Sequence, residues 1–128
     1  MARGGIPKPV GYETVWKDRN GRIRTKVRVA DGRDYGKDRN MIDKRIVVYL
    51  DNHKEENWKD LKGYCIIHLD NDTTNFSPDN LVKVKKEVYL LMLNNRMLYN
   101  DPYLNKASIM TAEYIYKIKK LNKEKSNE

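Results

Sequence analysis

Cysteine is almost absent from this sequence: a single thiol, Cys65, in 128 residues. One cysteine cannot close an internal disulfide, and with only two histidines beside it no structural zinc site can be completed. Long apolar runs are missing as well. The strongest, Ile46–Leu50 and Val88–Leu93, fall far short of the roughly 18 residues that a membrane-crossing helix needs. The opening MARGGIPKPVG has no apolar centre of the kind that marks a secretory signal. These absences argue against a disulfide scaffold, a zinc-stapled domain and a membrane partner. The expectation is a small soluble intracellular domain with a basic surface. With 39% hydrophobic residues the chain can bury one modest core, so residues 1–128 read as a single domain.

Positive charge is what the chain has in plenty. Lys and Arg number 26 against 18 Asp and Glu, a net charge of +8. Residues 1–48 carry 13 Lys/Arg and 6 Asp/Glu, residues 49–82 carry 3 and 7, and residues 83–128 carry 10 and 5. An acidic, polar island between two basic flanks suits a cation site bordered by a surface for a polyanion. A solvated, lysine-rich surface gives the same composition.

Gly4, Gly5, Pro7, Pro9 and Gly11 oppose regular structure, so residues 1–11 read as a flexible arm. Residues 12–58 read as a hairpin and a helical segment. Glu13–Trp16 and Arg22–Val29 flank Lys17-Asp18-Arg19-Asn20-Gly21, whose Asn-Gly pair is a strong turn signal. The second strand alternates, with Ile23, Thr25, Val27 and Val29 on one face and Arg22, Arg24, Lys26 and Arg28 on the other. A phosphate backbone would relieve the repulsion of those four cations and release counterions. An edge strand also carries Lys and Arg simply to discourage aggregation. In Ile42–Trp58, Ile46-Val47-Val48-Tyr49 has strand propensity, while Ile42, Ile46, Tyr49, Leu50 and His53 fall at helical spacing. Trp16 and Trp58 read as packing anchors, and His53 as a surface residue near a helix end.

Gly63–His68 predicts a short buried strand, with Cys65 inside it and no catalytic role for the thiol. Asp70–Asp79 is a turn-rich loop and Leu81–Val84 a second strand. A helix over roughly Lys86–Met97 follows, with Val88, Leu91 and Met92 at core spacing. Asp101-Pro102 is a helix start, acid at the N-cap and proline at the first turn. That helix is predicted over 101–121, with Ala107, Met110, Tyr114, Ile118 and Leu121 as its apolar stripe and a disordered tail over 122–128. Tyr99, Tyr103, Tyr114 and Tyr116 read as core or interface residues, or as platforms for bases.

The stretch GYCIIHLDNDTTNFSPDNLVKV, Gly63–Val84, carries the chemistry. A histidine ends a strand at His68. Leu69-Asp70-Asn71-Asp72 follows, then Asn75 in the loop, then Asn80-Leu81 opening the next strand. This pattern resembles the HNH endonucleases, in particular the small phage-encoded ones. The outline of hairpin, amphipathic segment, motif and final Asp-Pro helix is similar over roughly Pro9–Leu121. In those relatives the segment matching Lys44–Glu56 is helical, which tips the ambiguous segment toward a helix.

The resemblance implies an α+β fold: an N-terminal β-hairpin, a ββα-metal core over 63–97 and a C-terminal helix. It implies hydrolysis of DNA phosphodiester bonds with one divalent cation, Mg²⁺ or Mn²⁺, in the cytoplasm of a bacterial host. By the same resemblance His68 is the general base, Asn80 with Asn75 orients the strand or the imidazole, and Asp70 shapes the turn or touches the metal. A neutral imidazole suits that role because its unperturbed pKa is about 6.5. Arg22, Arg24, Lys26, Arg28, Lys83, Lys85 and Lys86 would grip phosphates. At two positions where such sites carry metal ligands this chain has Ile67 and Tyr89. Those two departures point to the alternative of a catalytically degenerate HNH scaffold. Such a scaffold would bind DNA as a regulator, or a host nuclease or defence protein as an inhibitor.

Overall fold

Asp18 organises the turn between the first two strands. Its Oδ1 accepts the backbone N–H groups of Asn20 (2.9 Å) and Arg22 (3.0 Å). Gly21 then takes a left-handed φ of 78°, a conformation only glycine adopts without cost. The turn joins β1 (Glu13–Lys17) to β2 (Ile23–Arg28) with Val15 opposite Thr25. This computed structural model describes residues 8–126, so the arm reading for residues 1–7 and the tail reading for 127–128 lie outside the described residues. The described end of the expected arm is tied to the sheet, since Gly11 N–H donates to the Arg28 carbonyl at 2.8 Å.

β3 (Met41–Asp43) pairs with the other side of β2, Val27 opposite Ile42. β2 is therefore the central strand of three, and its cations are not the guards of an edge. Asp43 caps α1 (Lys44–Asp51), accepting from Arg45 N–H at 3.0 Å. The segment is helical as expected, but the helix stops five residues before Glu56. His53 Nδ1 and Asn52 Nδ2 take the Tyr49 and Val48 carbonyls, and the Lys54–Asn57 run that follows has nothing apolar to bury. Val29, Ile42 and Val47 form a small apolar cluster here. Trp58 is an anchor: a Cβ on Gly36 would come within 2.7 Å of its ring. Trp16 is not, since it lies exposed on β1 under the Lys26 ammonium.

The described chain falls into two compact units, divided between Asp60 and Leu61. The second begins with β4 (Tyr64–His68) and β5 (Leu81–Lys85), an antiparallel pair with His68 opposite Leu81. α2 (Lys86–Asn94) and α3 (Pro102–Ser126) follow. Ile67, Val84, Val88, Met92 and Ala112 make this unit's buried cluster, with Cys65 and Tyr89 packed against it. Each unit thus holds an apolar cluster of its own.

α2 ends at Asn94, three residues short of its expected end, because Arg96 turns left-handed (φ 53°) and Met97 N–H reaches back to the Met92 carbonyl at 2.8 Å. Asp101 caps α3 as expected, its Oδ1 accepting from Tyr103 and Leu104 N–H. The helix then runs to Ser126, so residues 122–126 of the expected tail are helical. Its buried face is Asn105, Ser108 and Ala112, not the stripe Ala107, Met110, Tyr114, Ile118 and Leu121, which is exposed. Small side chains let this helix approach α2 closely, which the larger stripe would prevent.

Candidate functional site

The end of β4 and the loop that follows it are built as one hydrogen-bonded unit. Asp70 is its hub. Its Oδ1 accepts from Asp72 N–H (2.9 Å) and Asn80 Nδ2 (2.9 Å), and its Oδ2 accepts from Asn75 Nδ2 (2.8 Å). Asn80 answers by accepting Asp70 N–H on its Oδ1 at 2.9 Å, and its own backbone carbonyl takes Leu69 N–H. Asn71, between the two carboxylates, holds a left-handed φ of 62°. Burial alone would raise the Asp70 pKa, but the donors from Asn75, Asp72 and Asn80, with His68 nearby, outweigh it and hold the carboxyl below its usual value. Asp72 is lowered chiefly by its hydrogen bonds from Thr74.

His68 stands beside this hub. Its Nδ1 lies 2.9 Å from the Asn75 carbonyl oxygen, which also accepts from Asn80 Nδ2 at 3.0 Å. A carbonyl can only accept, so Nδ1 carries the proton and a neutral ring has its lone pair on Nε2. Phe76 meets the ring edge-on at a centroid distance of 5.1 Å. The residue is buried, with 5% of its surface exposed, and it lies close enough to Asp70 and Asp72 to help hold their carboxyls below the usual value. The structure therefore brings together His68, Asp70, Asn75 and Asn80, the four motif residues singled out in the sequence.

Two contributors escaped the sequence reading. Asn105, fully buried on α3, donates to the Leu69 and Tyr99 carbonyls (2.6 and 2.7 Å) and accepts Tyr99 N–H (2.7 Å). It pins the loop to the helix. An amide one turn past an N-cap, on the same face as Ser108 and Ala112, was the available signal. Phe76 is the chain's one phenylalanine, set in an otherwise polar loop.

The donor set does not fit a divalent cation. The positions from which the HNH resemblance would draw ligands hold Ile67, inside the apolar cluster, and Tyr89, packed against it. Asp70 spends its carboxylate on three loop donors. Among the described residues no three His, Cys, Asp or Glu side chains gather into a group able to hold a metal.

The basic residues fall in separate places. The pleat puts Lys83 and Lys85 on the His68 face of the β4–β5 pair, opposite Cys65, Ile67, Val82 and Val84. The Lys83 ammonium sits 4.8 Å from the Tyr64 ring centroid and that of Lys85 5.4 Å from Tyr116. Lys86 is exposed at the start of α2. On β2 the row is partly neutralised. Arg24 Nε is paired with Asp18 at 2.8 Å and also draws on Asp43, while Lys26 lies over Trp16. Arg28 follows them on the same face, and Arg22 lies in the turn just before β2. None of the described helices is long and apolar enough to cross a membrane. No family model matches this chain, and neither a curated protein nor a solved structure is similar to it.

Proposed function

We propose that this chain is an HNH-type endonuclease acting on DNA, with His68 as general base and the β4–β5–α2 unit as its ββα core. The observation that supports it is the Asn75 carbonyl on His68 Nδ1, which fixes the ring tautomer that a general base acting through Nε2 requires. A water's oxygen attacks phosphorus as its proton passes to Nε2, the P–O bond to the leaving oxygen breaks, and that oxygen takes a proton from solvent. Asn75 and Asn80 are positioning residues, since they hold the imidazole tautomer and the Asp70 hub rather than the reacting atoms. Lys83, Lys85 and Lys86 supply charge for the DNA backbone. The expected cation, Mg²⁺ or Mn²⁺, would stabilise the leaving oxygen in a nuclease of this kind. Because its ligands do not assemble here, no step is assigned to it.

A second reading has its own support. Ile67 and Tyr89 in apolar packing, and an imidazole 5% exposed, favour a scaffold that binds DNA, or a host nuclease or defence protein, without cutting. Supercoiled plasmid separates the two when incubated with Mg²⁺, Mn²⁺ or chelator beside His68→Ala, whose fold is checked by circular dichroism. Nicking that disappears in the folded variant is the expected result. Retention of DNA without nicking under every condition overturns the nuclease reading in favour of the scaffold. Absence of both directs attention to a protein partner.

A further inference from the structure

α3 carries two apolar faces and the second unit uses only one. On a helix turning about 100° per residue, Tyr103, Ala107, Met110, Tyr114, Ile118 and Leu121 lie within an arc of about 80°. That arc is centred almost opposite Asn105, Ser108 and Ala112, the face packed in the unit. Tyr103, Met110 and Tyr114 are 79%, 71% and 67% exposed, and Leu121 is 57% exposed. The spacing is that of a heptad seam, with Ala107, Tyr114 and Leu121 in one register and Tyr103, Met110 and Lys117 in the other.

We propose that this stripe is the interface of a homodimer, formed by α3 packing antiparallel against α3 of a second copy. The charges on and beside the seam select both the occupant and the orientation. In a parallel, in-register pair, Lys117 would face the partner's Lys117 and Glu124 the partner's Glu124, while Lys120 would flank the partner's Lys125. Each of these is repulsive. The antiparallel register that sets Met110 on the partner's Leu121 instead sets Tyr114 on the partner's Lys117. It also brings Glu113 beside the partner's Lys120, and symmetry makes every one of these contacts twice. The same surface thus meets its own complement, and two opposite-charge pairs replace the like-charge contacts. Opposed helix dipoles add to the preference. This inference stands apart from the nuclease reading, because it concerns a face away from His68 and is tested without DNA.

Sedimentation equilibrium of the full chain, across a micromolar to submillimolar series, gives the association state directly. The expected result is a monomer–dimer equilibrium. Met110→Lys should weaken it by about tenfold or more, because a charge would then be buried at the seam centre. Glu113→Lys alone should weaken it, since that residue then faces the partner's Lys120, and Glu113→Lys with Lys120→Glu should restore it. Circular dichroism confirms that each variant keeps its helix content. A chain that stays monomeric throughout the series overturns the proposal, even if it binds vesicles of anionic lipid. So does a dimer indifferent to Met110→Lys, and a double charge swap that fails to rescue overturns the antiparallel register.

Discussion

The Asn80 side chain makes as many hydrogen bonds in the candidate site as the Asp70 hub does. Its amide accepts from Asp70 N–H and donates to the Asp70 carboxylate and the Asn75 carbonyl, all while buried. Replacing it with alanine strands a backbone donor and frees the carbonyl that sets the His68 tautomer. Asn80→Ala should therefore cost about 2–4 kcal/mol, read from urea unfolding, given about 1 kcal/mol per hydrogen bond removed and more for each group left unpaired. Asn80→Asp keeps the shape but sets a second carboxylate against Asp70, and should be no better tolerated. A destabilisation well below about 1 kcal/mol for the alanine variant would mean that the loop holds itself without this amide. Arg96 offers the opposite case. Its left-handed backbone at the end of α2 suits glycine better than any L side chain, so Arg96→Gly should stabilise by about 0.5–1 kcal/mol. A higher thermal midpoint is the measurement.

At the scale of the element, the loop from Leu69 to Asn80 behaves as one acid-sensitive piece. The Asp70 pKa is below its unfolded value of about 3.9, so the group contributes stability that is complete above that pH and disappears as pH falls through the lower folded value. Asp70→Asn removes this dependence. Its deficit against the wild type, measured by urea midpoints, should be largest near neutral pH and shrink below about pH 4. A deficit constant with pH would show that the carboxylate charge is not what the loop uses. Short-range chemistry of this sort was legible in the sequence: the Asn-Gly hairpin, the Asp101 cap and the strand ending at His68 each rest on a few neighbouring residues. What lies between distant residues was not. Both faces of α3 satisfy a helical period, and only the partner helix decides which is buried. The end of α1 depends on side chains folding back onto its last carbonyls. That β2 is central rather than an edge follows from β3, three residues long and too short to announce itself by alternation.

The scale of the whole chain brings in its charge. A net +8 is enough to draw the protein to a polyanion, but its parts are not equivalent. On β2, Arg24 already has a carboxylate partner in Asp18, and Lys26 rests on an indole. Breaking an ion pair to reach a phosphate offsets part of what the new contact gains. Lys83 and Lys85 rest on the rings of Tyr64 and Tyr116, Lys86 is exposed, and all three share the unit that holds His68. If they contact the DNA backbone, log K for a duplex should fall linearly with log salt. Changing all three to alanine should then reduce that slope by about 2–3, close to 0.9 for each phosphate no longer neutralised. The effect should be equal for unrelated duplex sequences, because backbone contacts read no bases. Arg24→Ala should alter the slope by less than one such phosphate. If instead the triple variant keeps the wild-type slope while Arg24→Ala lowers it, the hairpin and not Lys83, Lys85 and Lys86 carries the DNA backbone.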